Sequence, residues 1–348
     1  MHKIRLPHQI LIGSKILDQI GNLCKKLGFP LKNNNRIVII TGPNTIKIAG
    51  KQIKDYLLED KFEVQIQEVM KANLENVEKA ENIIQEFKPC LVIGVGGGKN
   101  IDCAKLSSFN NNIPFISVPT ALAHDGVASP SCSLKGLDLR HSIQAQTPIG
   151  ILADTNIIKK APRVLLSAGI GDLLSNLVAV KDWKLGHRIK NEYFGHYSAL
   201  LSRMSAELIL KNYEKINPSE ESIRIVLEGI ISSSISMTVA GSSRPASGSE
   251  HLFSHALDKL GTGKLHGYQV GLGSIMLMYL HNGNWQEIRD ALRFVNAPVN
   301  AEELGIDDET VIKALTIAHK IRNRYTILQT GLTRNAAENL AKNTGVIN

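Results

Sequence analysis

The sequence is poor in three features that mark particular protein classes. Its 348 residues include only four cysteines, none in a Cys-x-x-Cys pair, so no disulfide framework is indicated and a reducing compartment fits. Aromatic residues make up 5%, so we expect aliphatic cores. The most apolar stretch, Val270–Leu280, is interrupted by glycines and far shorter than the ~20 residues that span a bilayer. With no signal-peptide pattern at the N-terminus, we expect a soluble, cytoplasmic protein without stable membrane insertion.

The charge of the chain is unbalanced toward positive. The formal net charge is +8 at pH 7. A dense stripe of Lys and Arg with interleaved aromatics, typical of nucleic-acid grooves, is missing. We therefore expect a small anionic ligand rather than nucleic acid as partner.

The first half of the chain alternates short apolar runs with amphipathic segments. Fully apolar strands that alternate with helices predict a parallel sheet covered on both faces. We read residues 134–153 as a β-hairpin that closes this domain, and the pattern after Pro162 is helical. The expected fold is a Rossmann-like α/β domain over residues 1–160 and an all-α domain over 161–348, with the active site in the cleft between them. The predicted strands are Ile37–Ile40, Phe62–Val69, Cys90–Val95 and Phe115–Val118.

A glycine-rich loop follows the third predicted strand and opens a helix. Gly96, Gly97 and Gly98 would let backbone amides approach a pyrophosphate at the helix N-terminus. The loop is not a Walker A motif, and it departs from the Rossmann fingerprint because Lys99 stands where the third glycine should be. A tight turn without a ligand is the alternative.

A second polar loop, from Pro119 to Ser129, follows the next strand, so it should lie beside the glycine loop. It contains Asp125, which alone is equally well explained as a turn or cap residue.

The helical half contains a candidate metal-binding set. Asp172 follows Gly169 and Gly171, and we expect it to lie at the start of an apolar helix, where an N-cap role is the alternative. His251 and His255 are four residues apart and share one helix face, and His266 precedes a glycine. An aspartate and two histidines suit a catalytic divalent metal with an open position. Spacing alone leaves open which two histidines bind.

In combination, these motifs resemble the glycerol-1-phosphate dehydrogenase family, within the superfamily of iron-containing alcohol dehydrogenases and dehydroquinate synthase-like proteins. The matching stretches occur in the expected order and are most similar to archaeal members, which make the glycerophosphate backbone of ether lipids. They are Gly96–Asp102, Pro119–Pro130, Ala168–Asn176, Arg244–Asp258 and Leu265–Gly273.

The resemblance implies roles for individual residues. It implies Asp172, His251 and His266 as metal ligands, and Asp125, Asp172 and His255 as catalytic and substrate contacts. We predict that the substrate phosphate binds Arg244, with Lys264 as second candidate. The predicted cofactor contacts are Gly96, Gly97, Gly98, Lys99, Asp102, Thr120, Ala123, Ser129 and Asn44.

The implied activity is reduction of dihydroxyacetone phosphate to sn-glycerol 1-phosphate, with NADPH or NADH and a metal, usually zinc and in some bacterial relatives nickel. No acid follows the strand Arg36–Thr41, where Asn44, Thr45 and Lys47 suit a 2′-phosphate, so we expect both cofactors to be accepted. The alternatives are a glycerol dehydrogenase, a dehydroquinate synthase-like lyase and a non-enzymatic basic binding protein. We also expect a homo-oligomer.

Overall fold

The computed structural model describes residues 4–134, 143–217 and 219–348. Within them the chain forms two compact units. Unit 1 comprises residues 4–122, 126–134, 143–162 and 219–224. Unit 2 comprises residues 123–125, 163–217 and 225–348.

Unit 1 is built on a six-stranded parallel sheet in the order β1-β8-β5-β4-β2-β3. The central strands β4 and β5 are continuous apolar runs and are fully buried, whereas in the edge strand β3 only Val64 is buried. This is the pattern that the apolar runs predict. The strands are β1 (Gln9–Gly13), β2 (Arg36–Thr41), β3 (Glu63–Glu68), β4 (Leu91–Gly96), β5 (Phe115–Pro119), β6 (Ser131–Cys132), β7 (Ile143–Gln144) and β8 (Gly150–Asp154).

Helices connect the strands, and their apolar faces join the strands in one aliphatic core. Helix α3 begins after Asn73, whose side chain accepts a hydrogen bond from the Asn76 amide as an N-cap. A π-helical turn, Ile46–Gly50, precedes α2. The helices of this unit are α1 (Ile20–Lys26), α2 (Lys51–Glu59), α3 (Leu74–Phe87), α4 (Gly98–Asn110) and α5 (Thr155–Ile158).

The predicted hairpin over residues 134–153 is wrong in its second half. β8 does not fold back on a neighbouring strand but joins the main sheet, parallel to both β1 and β5. Its residues are fully buried, as expected of a central parallel strand. The antiparallel pairing that exists is the short one between β6 and β7. Residues 135–142, the rest of the predicted hairpin, lie outside the described residues.

Unit 2 is helical throughout its described residues, so the predicted fold class of an α/β domain followed by an all-α domain is confirmed. Its first helix is much longer than the sequence pattern suggested. The helices are α6 (Arg163–Lys190), α7 (His196–Leu210), α8 (Glu220–Ala240, whose first turn counts with unit 1), α9 (Ser249–Lys259), α10 (His266–Leu280), α11 (Trp285–Phe294), α12 (Ala301–Leu304), α13 (Asp308–Ile317) and α14 (Arg334–Asn343).

Two helices, α6 and α8, are long and apolar enough to cross a membrane by length and composition alone. In both, most of the apolar window is buried inside the protein, 67% and 61% respectively. Such burial is typical of core helices in soluble proteins, and the two helices are weak grounds for a membrane span.

Candidate functional site

Asp172 lies in the interior of α6, ten residues into the helix that begins at Arg163. The expectation that it opens a helix is therefore wrong, and so is the N-cap alternative. The glycines before it, Gly169 and Gly171, had suggested a loop, but they are helical and buried. A buried carboxylate in mid-helix needs a partner, because an unpaired charge is expensive to bury.

Gly171 and Gly267 explain how Asp172 meets His266. A Cβ atom on Gly171 would lie 2.3 Å from the Gly267 carbonyl oxygen, and one on Gly267 would lie 1.8 Å from the Ala168 carbonyl oxygen. The backbones of α6 and α10 are thus in direct contact, which only glycine permits. Each glycine is the chain neighbour of a predicted metal ligand, so this contact brings the two side chains together.

Three predicted ligands converge in unit 2. His251 Nε2 and His266 Nε2 are 3.2 Å apart, and they lie 3.9 Å and 3.6 Å from Asp172 Oδ1. Among the described residues, Asp172, His251 and His266 form the group that could hold a metal ion. Asp172 and His251 are largely buried, whereas the His266 side chain is 34% exposed, so the cluster is open on the side of His266.

The chemistry of these donors fits a divalent cation. The Nδ1 atom of each ring has its own hydrogen-bond partner, Glu250 for His251 and Ser254 for His266, so both Nε2 atoms face the cluster. Two lone pairs 3.2 Å apart repel each other unless a cation or a proton lies between them. Ligands about 2.0–2.1 Å from a tetrahedral zinc ion stand about 3.3–3.4 Å apart. The observed separations, 3.2–3.9 Å, are close to that value.

The protonation states also suit metal ligands. Burial is the main cause that lowers the pKa of both histidines, and the neighbouring His124 lowers that of His266 further. Both imidazoles are therefore neutral at pH 7, as metal ligation requires. Burial raises the pKa of Asp172, although His124 and the Asp125 amide lower it in part. A buried acid whose ionised form is disfavoured gains from a nearby cation.

His255 lies beside the cluster but outside the metal-binding group. Its ring centroid is 6.2 Å from those of both His251 and His266. The side chain is buried, with 7% exposed. This position suits a group that acts next to a metal ligand set rather than within it.

Asp125 contacts the cluster through its backbone. Its amide donates to Asp172 Oδ2 at 2.9 Å, and its carbonyl accepts from the Ser234 hydroxyl. Asp172 thus uses one oxygen to hold the loop and keeps the other toward the histidines. Asp125 therefore supports the cluster from outside, through a hydrogen bond to one of its ligands.

Asp182 and Glu250 are buried carboxylates that sequence reasoning missed. Asp182 accepts from the amides of Ser249 and Ile327 and from His281 Nε2, which fixes the start of α9. Glu250 Oε1 accepts from the Gly248 amide and is hydrogen-bonded to His251 Nδ1 at 2.9 Å. Burial, then the Asp182 charge, raises the pKa of Glu250 to about 8. For Glu250, its position directly before the candidate ligand His251 is the sequence feature that could have indicated this role.

In unit 1 the glycine loop and the second polar loop are adjacent, as the strand order predicts. Gly96 pairs with Pro119 in the sheet, and the Thr120 amide donates to the Gly96 carbonyl at 3.0 Å. Gly96 has a φ of 147°, and a Cβ there would lie 2.4 Å from Asn100 Oδ1. Gly97, the N-cap of α4, has nothing within 4 Å of an added Cβ. The first turn of α4 therefore offers unpaired amides beside open space.

Asp102 faces inward. It is buried, pairs with Lys105 Nζ at 3.2 Å and accepts from the Ser133 amide at 3.1 Å. Lys105 also donates to the carbonyls of Gly126 and Ser131. This pair fastens the second polar loop to α4, and the role of Asp102 as a cofactor contact remains a prediction.

The remaining predicted cofactor contacts differ in how far their side chains are buried. Lys99 and Asn44 are exposed, at the start of α4 and after β2. Ser129 is buried and its hydroxyl donates to the Ser131 carbonyl at 3.2 Å. Ala123 belongs to unit 2.

Of the predicted phosphate contacts, Arg244 is buried and forms an ion pair with Glu192, through Nε at 2.9 Å and through Nη2. This pair neutralises its charge. The Lys264 ammonium lies against Gly305, 2.8 Å from where a Cβ would be. The ion pair engages Arg244 Nε and Nη2, whereas Arg244 Nη1 is buried with no hydrogen-bond partner among the described residues.

Known proteins resemble the chain over its whole length. A sequence model of the iron-containing alcohol dehydrogenases matches residues 11–162. Glycerol-1-phosphate dehydrogenase (NAD(P)+) from Thermococcus sibiricus is 50% identical over 351 aligned residues, covering 100% of this chain and 99% of that protein. The protein of the same name from Methanosarcina mazei is 48% identical, covering 99% and 97%. A probable glycerol dehydrogenase from Sinorhizobium meliloti has a TM-score of 0.79 at 17% identity over 100% of both chains, a likeness that shows the fold alone.

Proposed function

The chain belongs to the glycerol-1-phosphate dehydrogenase family, a family of oxidoreductases, and we propose that it reduces dihydroxyacetone phosphate to sn-glycerol 1-phosphate in unit 2. The observation that carries this proposal is the convergence of Asp172 Oδ1 with two histidine Nε2 atoms. We further propose that the product supplies the glycerophosphate backbone of ether lipids.

A metal and NAD(H) are the cofactors that family membership supports, and zinc is our proposal for the metal. Asp172, His251 and His266 would hold it, leaving one position open for the substrate carbonyl oxygen. When bound, the metal polarises that carbonyl and the reduced nicotinamide supplies a hydride. Nickel is equally compatible with an aspartate and two histidines.

The chain's own residues then orient the substrate and supply the proton. The backbone amide of Asp125 is bonded to Asp172, and on this ground we propose that the Asp125 carboxylate accepts a hydrogen bond from the terminal hydroxyl of the substrate. That bond would fix which face of the ketone is attacked. His255, beside both histidine ligands, would give the proton to the reduced oxygen, directly or through a water.

For the phosphate, Arg244 and Lys264 remain predicted contacts, and we propose Arg322 as a further one. Arg322 is half-buried, and burial lowers its pKa. Besides burial, the charges of Arg324 and Arg322 lower the pKa of His251, so both arginines lie near that ring. Arg324 is engaged with the Ser243 hydroxyl and the Ser247 carbonyl, which leaves Arg322 as the available cation.

The cofactor would bind at the glycine loop of unit 1. Gly97 leaves space at the N-terminus of α4, where amides from Gly98 and Lys99 suit a pyrophosphate. Thr120, Ser129, Ala123 and Asn44 remain predicted contacts. A small-molecule substrate follows from the family, while a cytoplasmic location, a homo-oligomer and the lack of nucleic-acid or membrane partners remain our predictions.

The test is NADPH oxidation by the zinc-loaded protein with dihydroxyacetone phosphate, compared with dihydroxyacetone, followed by chiral analysis of the product. We expect strong preference for the phosphorylated ketone and formation of sn-glycerol 1-phosphate. The Arg322→Met variant should lose that preference by raising the KM for the phosphorylated ketone alone. Equal or better turnover of dihydroxyacetone by the wild type would indicate a glycerol dehydrogenase instead.

A further inference from the structure

His266 is linked to a chain of polar side chains that no catalytic step uses and that runs through buried residues to the exposed Asp258. Its Nδ1 lies 3.0 Å from the Ser254 hydroxyl oxygen, which is 2.7 Å from Gln269 Oε1. Gln269 Nε2 donates to Asp258 Oδ1 at 3.1 Å and to the Thr262 hydroxyl at 3.0 Å. Ser254 and Gln269 are fully buried. The chain connects α9, which carries Ser254 and Asp258, with α10, which carries His266 and Gln269.

The donor and acceptor of each hydrogen bond in this series of side chains follow from Asp258, the residue furthest from His266. An ionised Asp258 carboxylate only accepts, so the amide nitrogen of Gln269 must face it and the amide oxygen must face Ser254. The Ser254 hydroxyl must then donate to Gln269, and its oxygen offers a lone pair to His266. His266 Nδ1 must therefore carry the proton, which leaves Nε2 with a lone pair directed at Asp172 and His251.

We propose that Ser254 and Gln269 are positioning residues, which transmit the orientation set by Asp258 and hold His266 in the tautomer and ring position that a metal requires. This inference rests on the metal site of the proposed function. Outer-shell partners of metal-bound histidines fix the tautomer and raise the basicity of the ligand, and their loss typically weakens metal binding about 10–100-fold.

A simple packing role makes a different prediction. If Ser254 and Gln269 only joined α9 to α10, removal of the Ser254 hydroxyl would lower the stability of the metal-free protein and leave the affinity of the protein for metal unchanged. Ser274 provides a matched control, because it is a fully buried serine of α10 whose hydroxyl donates to the Val270 carbonyl alone.

The first measurement is zinc affinity, by competition with a chelator, for the full-length wild type, Ser254→Ala, Gln269→Ala, the double variant and Ser274→Ala. We expect about 10–100-fold weaker binding in Ser254→Ala. The double variant should bind no more weakly than Ser254→Ala, because both residues act through one chain. Ser274→Ala should bind as the wild type does. Equal affinities in Ser254→Ala and Ser274→Ala would overturn the proposal.

The second measurement reads the tautomer directly and needs no variant to fold. Nitrogen NMR of histidine-labelled, metal-free wild type should show His266 protonated at Nδ1 and bare at Nε2. A proton on Nε2 would overturn the proposal. If the wild type shows the expected tautomer but neither binds zinc nor reduces dihydroxyacetone phosphate, the proposed function fails while the orienting chain stands.

Discussion

Glycine has opposite uses in the two units. In unit 1, Gly97 stands at the start of α4 with nothing within 4 Å of an added Cβ, so its lack of a side chain leaves open space. In unit 2, a Cβ on Gly171 or Gly267 would lie only 2.3 Å or 1.8 Å from a backbone carbonyl oxygen. The backbone of a neighbouring helix therefore occupies the space that a side chain would need. The candidate cofactor site in unit 1 consists of backbone amides next to an open space. The candidate metal site in unit 2 consists of side chains that are brought together by the close packing of two helices.

The difference predicts what each site tolerates. A backbone site loses its ligand when the space is filled, but its fold survives. A side-chain site that depends on close helix packing behaves differently. When the two helices are forced apart, the ligand geometry is lost and the protein becomes less stable. Alanine substitutions at the two kinds of glycine therefore separate the two designs.

The largest effect should come from Asp172→Asn in unit 2. Asparagine keeps an oxygen for the Asp125 amide, so the fold should be retained. The loss of the anionic ligand should remove the metal and lower kcat about 1000-fold or more, since metal catalysis contributes several kcal/mol. Metal analysis with steady-state kinetics checks this. A variant with full metal content would remove Asp172 from the ligand set.

Gly267→Ala should be the next most damaging change. The new methyl group meets the Ala168 carbonyl, which belongs to the backbone and cannot rotate away. We expect a loss of about 1–3 kcal/mol in the free energy of unfolding, together with weaker metal binding. Denaturant unfolding of the metal-free protein measures the first effect and chelator competition the second. Unchanged stability would show that α6 and α10 are not in such close contact.

Gly97→Ala tests the other design. Its φ of −80° is accessible to alanine, so the free energy of unfolding should fall by about 1 kcal/mol or less, the difference between glycine and alanine as N-caps. NADPH affinity should fall about tenfold, ~1.4 kcal/mol, because the methyl group occupies the space for the pyrophosphate. Titration of NADPH fluorescence measures it, and zinc affinity serves as the control that should not change. Unaltered NADPH binding would move the pyrophosphate away from this loop.

The smallest effect concerns the choice between cofactors. Asn44, in the turn after β2, is exposed, so a substitution there leaves the packing intact, whereas a Cβ on the nearby Gly42 would lie 2.8 Å from Asn100 Nδ2. Asn44→Asp should raise the KM for NADPH about threefold through repulsion of the 2′-phosphate, roughly 0.7 kcal/mol for exposed charges. The KM for NADH should stay the same. Equal changes with both cofactors would place the adenosine ribose elsewhere.

The sequence allowed the sheet of unit 1 to be predicted because its central strands are continuous apolar runs between glycines and prolines. It concealed β1, whose residues Gln9–Gly13 are partly exposed at the sheet edge and lack a clear alternation. It concealed the nature of β8 because a short apolar run does not reveal whether its partners are parallel or antiparallel.

The candidate metal site was predictable in residue type but not in arrangement. Spacing left open which two of His251, His255 and His266 bind the metal. In the structure the Nε2 atom near His251 belongs to His266, which is brought there by the packing of α10 against α9. Asp182, Ser254 and Gln269 gave no signal, because burial of a polar side chain depends on partners that are distant in sequence. The glycines near Asp172 were ambiguous, because glycine is typical both of turns and of positions where two backbones approach closely.

Metal content of His251→Ala and His255→Ala tests the central claim most directly. The two histidines are one turn apart on α9, so both substitutions disturb the same helix to a similar degree. We expect the purified His251→Ala protein to lack metal, and the His255→Ala protein to keep one metal per chain while its turnover falls. Equal metal loss in the two variants would contradict the assignment of Asp172, His251 and His266 as the metal ligands.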